Sequence, residues 1–136
     1  MILEHVAIWT IQLETLKNYY QQFFGGQPNE KYRNESTEFE SFFLTSAAGA
    51  RLELMTKPNL PDNKKDTLAS QHQGITHLAF GVETMQEVEE KAKEWQQAGF
   101  PILRGPRKTG DGYYEFETFD PDNNRLEVTT LFVSGN

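Results

Sequence analysis

Hydrophobic and polar residues alternate over residues 2–9, with Ile2, Glu4, Val6 and Ile8 on one side and Leu3, His5, Ala7 and Trp9 on the other. A period of two predicts a strand and sends His5 to one definite face. Over residues 13–24 the period changes. Leu13, Leu16, Tyr20 and Phe23 fall at helical spacing, and Gly25-Gly26 ends the run. Two strand-like runs follow, at residues 37–46 and 50–57, around a turn at Ala48-Gly49. Residues 58–73 are rich in Pro, Asn, Asp, Lys and Ser and predict a linker.

The pattern then restarts. Residues 74–82, "GITHLAFGV", predict a strand, and residues 84–99 a helix closed by Gly99. Thr84 with Glu87 three residues on gives that helix a capping box. Residues 101–109, 112–119 and 124–132 predict three more strands, the last two joined by "DPDNN". Each half therefore reads strand, helix, strand, strand, strand.

The two halves also share phrases. "EHVAI" at residues 4–8 is matched by "THLAF" at 76–80, and "RLEL" at 51–54 by "RLEV" at 125–128. A shift of 72 residues carries His5 to His77, Leu13 to Met85, Leu16 to Val88 and Phe23 to Trp95, and a shift of 74 carries Glu53 to Glu127. One internal duplication accounts for all of these. The expected architecture is α+β: two βαβββ modules, 1–57 and 74–132, joined by the linker 58–73 in a single domain spanning 1–136. Their strands would form a curved, eight-stranded, mostly antiparallel mixed sheet with the helices outside.

Strand alternation turns Leu52, Leu54, Leu126 and Val128 toward the helices and Glu53 and Glu127 away from them. His5 and His77 have small neighbours, Ala7 in one half and Ala79 and Gly81 in the other, which leaves space before the rings. Should the two sheets curl toward each other, two imidazoles and two carboxylates meet in one cup. Two nitrogen and two or more oxygen donors suit one divalent ion per site, Ni, Zn, Co, Fe or Mn, with positions left for water or substrate. Singly, a strand histidine is more often a hydrogen-bonded structural residue, and a strand glutamate the solvent face of a sheet. The repeat of both favours a metal site, since inward carboxylates without a cation are costly.

Composition narrows the partners. Of 136 residues, 20 are Asp or Glu and 13 Lys or Arg, a net charge of -7, and no basic run offsets it. Such a balance repels phosphate backbones and anionic lipid, so neither nucleic acid nor membrane is expected and a small molecule is. There is no cysteine, which excludes disulfides, thiolate metal sites and cysteine nucleophiles. The N-terminal residues lack the pattern of a signal peptide, and no apolar run approaches the roughly 18 residues that span a bilayer. A cytoplasmic protein is the expectation.

"EHVAI", "RLELM", "GITHLAFGV", "GPRKTGDGYYE" and "DPDNNRLEV" together resemble the vicinal oxygen chelate superfamily, the glyoxalase and bleomycin-resistance fold, over nearly the whole chain. In the last phrase Asn123 stands where glycine is common. His5, Glu53, His77 and Glu127 match the metal ligands of bacterial glyoxalase I. The resemblance implies a metal-dependent lyase or isomerase acting on a small substrate with two neighbouring oxygens. A glutamate, Glu127 or its pseudo-symmetric counterpart Glu53, would take a proton from carbon. It also implies a homodimer. Trp9 stands where many glyoxalase I enzymes carry an arginine that helps hold the glutathione conjugate, so glutathione is expected to be a poor substrate or none. The alternatives are a metal-containing small-molecule binding or resistance protein without turnover, and a ring-cleaving dioxygenase.

The remaining pocket candidates are Trp9, on the face of His5, and Arg104, Arg107, Tyr113 and Tyr114 from "RGPRKTGDGYYE". That segment, which also holds Lys108 and Glu115, reads either as a mobile rim for an anionic or phenolic substrate or as a solvated hairpin. His72, in the polar linker, reads as a surface residue.

Overall fold

Strand alternation and helix periodicity act as the sequence leads one to expect. The computed structural model describes residues 1–62 and 70–132. The predicted linker runs through residues 63–69, which lie outside the described residues; its flanks, 58–62 and 70–73, carry neither helix nor strand. The chain divides into two compact units, Met1–Asn63 and Lys64–Asn136.

In the first unit β1 (His5–Trp9) leads into α1 (Leu13–Phe24), followed by β2 (Gln27–Pro28), β3 (Tyr32–Asn34), β4 (Phe39–Thr45) and β5 (Arg51–Thr56). The strands are ordered β1-β5-β4-β2, with β3 also on β4. β1 runs parallel to β5 and β4 antiparallel to it. Helix α1 buries Leu13, Leu16, Tyr19, Tyr20 and Phe23, and Leu54, Leu44 and Phe42 are the buried strand residues opposite that stripe. Gly25 ends the helix in the left-handed region, φ 69°, which costs glycine little.

The second unit repeats the plan: β6 (Leu78–Gly81), α2 (Met85–Gln97), β7 (Ile102–Lys108), β8 (Tyr113–Phe119) and β9 (Arg125–Leu131), ordered β6-β9-β8-β7. Again the first strand is parallel to the last. Helix α2 opens with the expected capping box: the Glu87 N–H donates to Thr84 Oγ1 at 3.1 Å and the Thr84 N–H to Glu87 Oε2 at 3.0 Å. Its buried stripe is Val88, Ala92 and Trp95. Trp95 meets the edge of Phe116 at 5.8 Å, and Phe116, Leu126 and Val128 are fully buried.

The register states the duplication more exactly than the helices do. Ala7 lies opposite Glu53 and Ala79 opposite Glu127; Phe43 lies opposite Glu53 and Glu117 opposite Glu127. Leu16 and Val88 are both fully buried, as are Phe23 and Trp95 or nearly so. The match of Leu13 with Met85 fails in burial: Leu13 is buried, whereas Met85 is exposed at the first turn of its helix.

One departure from the expected strand count lies after α1, where two short strands, β2 and β3, both pair with β4, so nine strands rather than eight are described. They lie in two separately hydrogen-bonded sheets. Between β8 and β9, Asp120 accepts hydrogen bonds from the backbone N–H groups of Asp122 and Asn124 at 2.8 and 2.9 Å. Asn123 takes φ 60°, the left-handed conformation that favours glycine at this place. Among the described residues, no helix is long and apolar enough to cross a membrane.

Candidate metal centre

Each module presents one histidine–glutamate pair on the sheet face away from its helix. In the first, His5 opens β1 and Glu53 lies in the middle of β5, the neighbouring strand. His5 Nε2 stands 3.6 Å from Glu53 Oε2. In the second, His77 immediately precedes β6 and Glu127 lies in β9, with Nε2 3.2 Å from Glu127 Oε2. The parallel pairing of first and last strands causes both contacts, because it lays a residue at one end of the module beside one at the other.

These distances fit a shared cation. Two donors bonded to one ion at about 2.1 Å stand about 3.0 Å apart at a right angle and about 3.4 Å apart at the tetrahedral angle. The Nε2–carboxylate separations of 3.2 and 3.6 Å lie beside these values. Both glutamates are largely buried, at 14–15% side-chain exposure, while both rings are about two-fifths exposed. The donor types, imidazole nitrogen and carboxylate oxygen, suit a borderline to hard divalent ion.

The surroundings of the two pairs differ. Across from Glu53 is Phe43, whose ring meets His5 edge-on at 5.5 Å. Across from Glu127 is Glu117, with Glu115 two residues on along β8; one oxygen of each of the three carboxylates lies within 4.8 Å of the others. Arg125 Nη1 holds Glu117 at 3.2 Å, and Arg107 Nη2 is 3.7 Å from Glu115, which also accepts from the Thr129 hydroxyl at 3.3 Å. Burial, and then the charges of Glu115 and Glu117, raise the pKa of Glu127, against the opposing pull of His77 and Arg107.

The other ring nitrogens are also engaged. His5 Nδ1 contacts the Glu4 carboxylate, and His77 Nδ1 lies 3.0 Å from the Thr76 hydroxyl. Such contacts orient a ligating imidazole. Glu4, Thr76, Glu115 and Glu117 were not singled out from sequence as parts of a centre. The alternation of "YYEFETF" was the available signal for the last two; it puts Glu115 and Glu117 on one face.

The pocket candidates fall in different places. Trp9 is exposed on the strand of His5, edge-on to Phe39 at 6.0 Å, with Lys57 Nζ 4.8 Å from its ring centroid. Arg104 and Arg107 pair with Glu117 and Glu115 across β7 and β8, so they share the face of Glu127. Tyr113 precedes Glu115 by two residues and shares that face too. Tyr114 stands on the other side, where its hydroxyl donates to Glu89 of α2. That bond raises the tyrosine's pKa. The hairpin segment is thus ordered as β7 and β8, with the Tyr113 N–H donating to Thr109 Oγ1 at 2.9 Å. A surface cavity of about 320 Å³ at the start of α1, lined in part by Ile11, Glu14, Lys31 and Glu40, contains none of these residues.

Two βαβββ modules, each carrying a histidine–glutamate pair on its open sheet face, define a small α+β class built by duplication. The chain belongs to the glyoxalase/bleomycin resistance protein/dioxygenase superfamily, whose family model matches residues 2–128. Comparison with curated protein sequences finds no significant match. Among solved structures, the trypanothione-dependent glyoxalase I of Leishmania major is similar with a TM-score of 0.75 at 20% identity, covering 96% of this chain and 86% of that one. A glyoxalase/bleomycin resistance protein/dioxygenase family enzyme from Burkholderia phytofirmans PsJN gives 0.70 at 22% identity, over 97% and 100%. A glyoxylase/bleomycin resistance protein/dioxygenase domain from Frankia sp. EAN1pec gives 0.74 at 18%, over 96% and 92%. At these identities the likeness concerns the fold.

Proposed function

We propose that the protein is a metal-dependent lyase or isomerase of the glyoxalase type, acting on a small substrate with two neighbouring oxygens. The carrying observation is the repeated pairing of a histidine Nε2 with a carboxylate oxygen at 3.2 and 3.6 Å. His5, Glu53, His77 and Glu127 are the proposed metal ligands, for a divalent ion. When bound, that ion supplies Lewis-acid polarisation of the substrate oxygens, which acidifies the neighbouring C–H.

The chain's own residues supply the rest. Glu127 is the proposed base: once displaced from the ligand set, its carboxylate, beside Glu115 and Glu117 whose charges favour its protonated form, would take the proton from carbon. Glu53 has Phe43 rather than a second carboxylate across from it, which supports a fixed ligand role. Trp9, Arg104, Arg107 and Tyr113 are the proposed substrate contacts. Tyr114, engaged with Glu89, supports the shape of β8 rather than the substrate.

The test combines metal counting with turnover. Protein purified without chelator should hold about one divalent ion per site, and His5→Ala and His77→Ala should each reduce the content. No ion bound, and none taken up on addition, would overturn the ligand reading. Turnover is followed as thioester formation from methylglyoxal hemithioacetals of glutathione, trypanothione and simpler thiols. Glu127→Gln should lower the rate by about 10²–10⁴. Tight binding without turnover for every thiol would leave the non-catalytic binding protein as the correct reading.

A further inference from the structure

A neutral imidazole carries hydrogen on one nitrogen, and only the bare nitrogen can bind a cation. What touches each ring therefore decides whether it is ready to ligate. His5 lies between two carboxylates. Glu4 Oε2 contacts Nδ1, whereas Glu53 Oε2 stands 3.6 Å from Nε2, beyond hydrogen-bond reach. Glu4 is also clamped. Its other oxygen accepts from Arg51 Nε at 2.7 Å and contacts Arg51 Nη2. Arg51 is stacked in turn, its Cζ 4.2 Å from the centroid of Phe43, the same ring that meets His5 edge-on. The Arg51 N–H donates to the Glu4 carbonyl at 2.9 Å, which closes the circuit through the backbone. The proton of His5 is thereby drawn to Nδ1, and Nε2 is left bare toward Glu53.

The second module lacks this device. Thr76 takes the place of Glu4, and a hydroxyl 3.0 Å from His77 Nδ1 can donate or accept, so it selects neither form. Arg125, the counterpart of Arg51, is directed to Glu117. At the far nitrogen, Glu127 Oε2 lies 3.2 Å from Nε2 without the alignment of a hydrogen bond, so it fixes no hydrogen there either. We propose that Glu4, held by Arg51 over Phe43, is a positioning residue that keeps His5 in the Nδ1–H form with Nε2 ready for a cation, whereas no contact of His77 selects either form. Two residues equivalent by duplication are thus unequal, and His5 is the readier ligand. This consequence rests on the ligand reading proposed above; the ring tautomers do not.

Long-range ¹H–¹⁵N spectra of the metal-free chain in alkaline buffer read each ring directly. The expected result is Nδ1–H at His5, with no such fixed preference at His77. Glu4→Ala should shift His5 toward Nε2–H and leave His77 unchanged, and Glu4→Gln, which keeps an acceptor without charge, should fall between. Glu4 is more than half exposed, so these variants keep the fold, which a thermal melt verifies. Zn²⁺ affinity, measured by competition with a chromophoric chelator, should fall 10–100-fold in Glu4→Ala. Hydrogen on Nε2 of His5 in the native chain, or a His5 tautomer unmoved by Glu4→Ala, overturns the proposal. Predicted tautomers without any Zn²⁺ uptake would instead sink the ligand reading and leave the role of Glu4 standing.

Discussion

Glu127 is a residue the metal-free chain holds at a cost. A carboxyl whose folded pKa is raised above its ordinary 4.5 binds protons in the folded state over the interval between the two values. Its contribution to stability is fully present below 4.5 and is lost as pH rises through the raised value. At neutral pH the ionised group is therefore unfavourable without a cation. Glu127→Gln should stabilise the metal-free protein there, seen as a higher Tm at neutral pH, with the gain disappearing near pH 4. Melts of both proteins across that range check the sign. Glu4 runs the other way: its bonds to His5 and then Arg51 lower its pKa, so its contribution is present above 4.5 and lost on acidification. The four paired residues were legible because duplication wrote them twice. Glu4 was not. Strand alternation assigns it to the face opposite His5, but β1 begins at His5, so Glu4 lies off the strand end and the alternation no longer governs its side chain.

At the scale of elements, the helices were the most legible part, because their ends carry chemical signals. The Thr84–Glu87 box is the strongest of them, and it closes two otherwise unpaired N–H groups. Thr84→Ala should cost about 1 kcal/mol in a denaturant titration. Helix α1, by contrast, has no side-chain cap hydrogen bond at Gln12. The strands β2 and β3 were not legible. Gln27–Pro28 is too short to show a period, and Pro28 lacks the N–H of an ordinary ladder residue. Tyr32–Asn34 sits in a polar run, and its pairing with β4 is reinforced by Arg33 Nη1 on Glu40 at 2.7 Å. The mismatch of Leu13 and Met85 has a similar origin: periodicity names the buried face of a helix but not how deep its first turn lies. For the acidic trio, alternation within β8 was visible, but only the register of β8 on β9 brings Glu117 opposite Glu127.

For the whole molecule, duplication determines more than composition does. A charge of -7 bounds the partners, whereas the repeat determines that each unit has its own helix, sheet and histidine–glutamate pair. A homodimer is the proposed assembly, and light scattering at micromolar concentration should give twice the chain mass of 15.7 kDa. A mass of one chain would count against it. The parallel pairing of β1 with β5 has a consequence in time as well as space. His5 lies opposite Arg51, 46 residues later in the chain, and closing a loop of that length costs about 3 kcal/mol in chain entropy beyond a constant. During synthesis the first strand must wait, without its only described partner, until the last strand of its module emerges. The histidine and the glutamate meet only at that closing step, so the binding energy of any cation held by the pair would be added there, to the last and most distant pairing of the module.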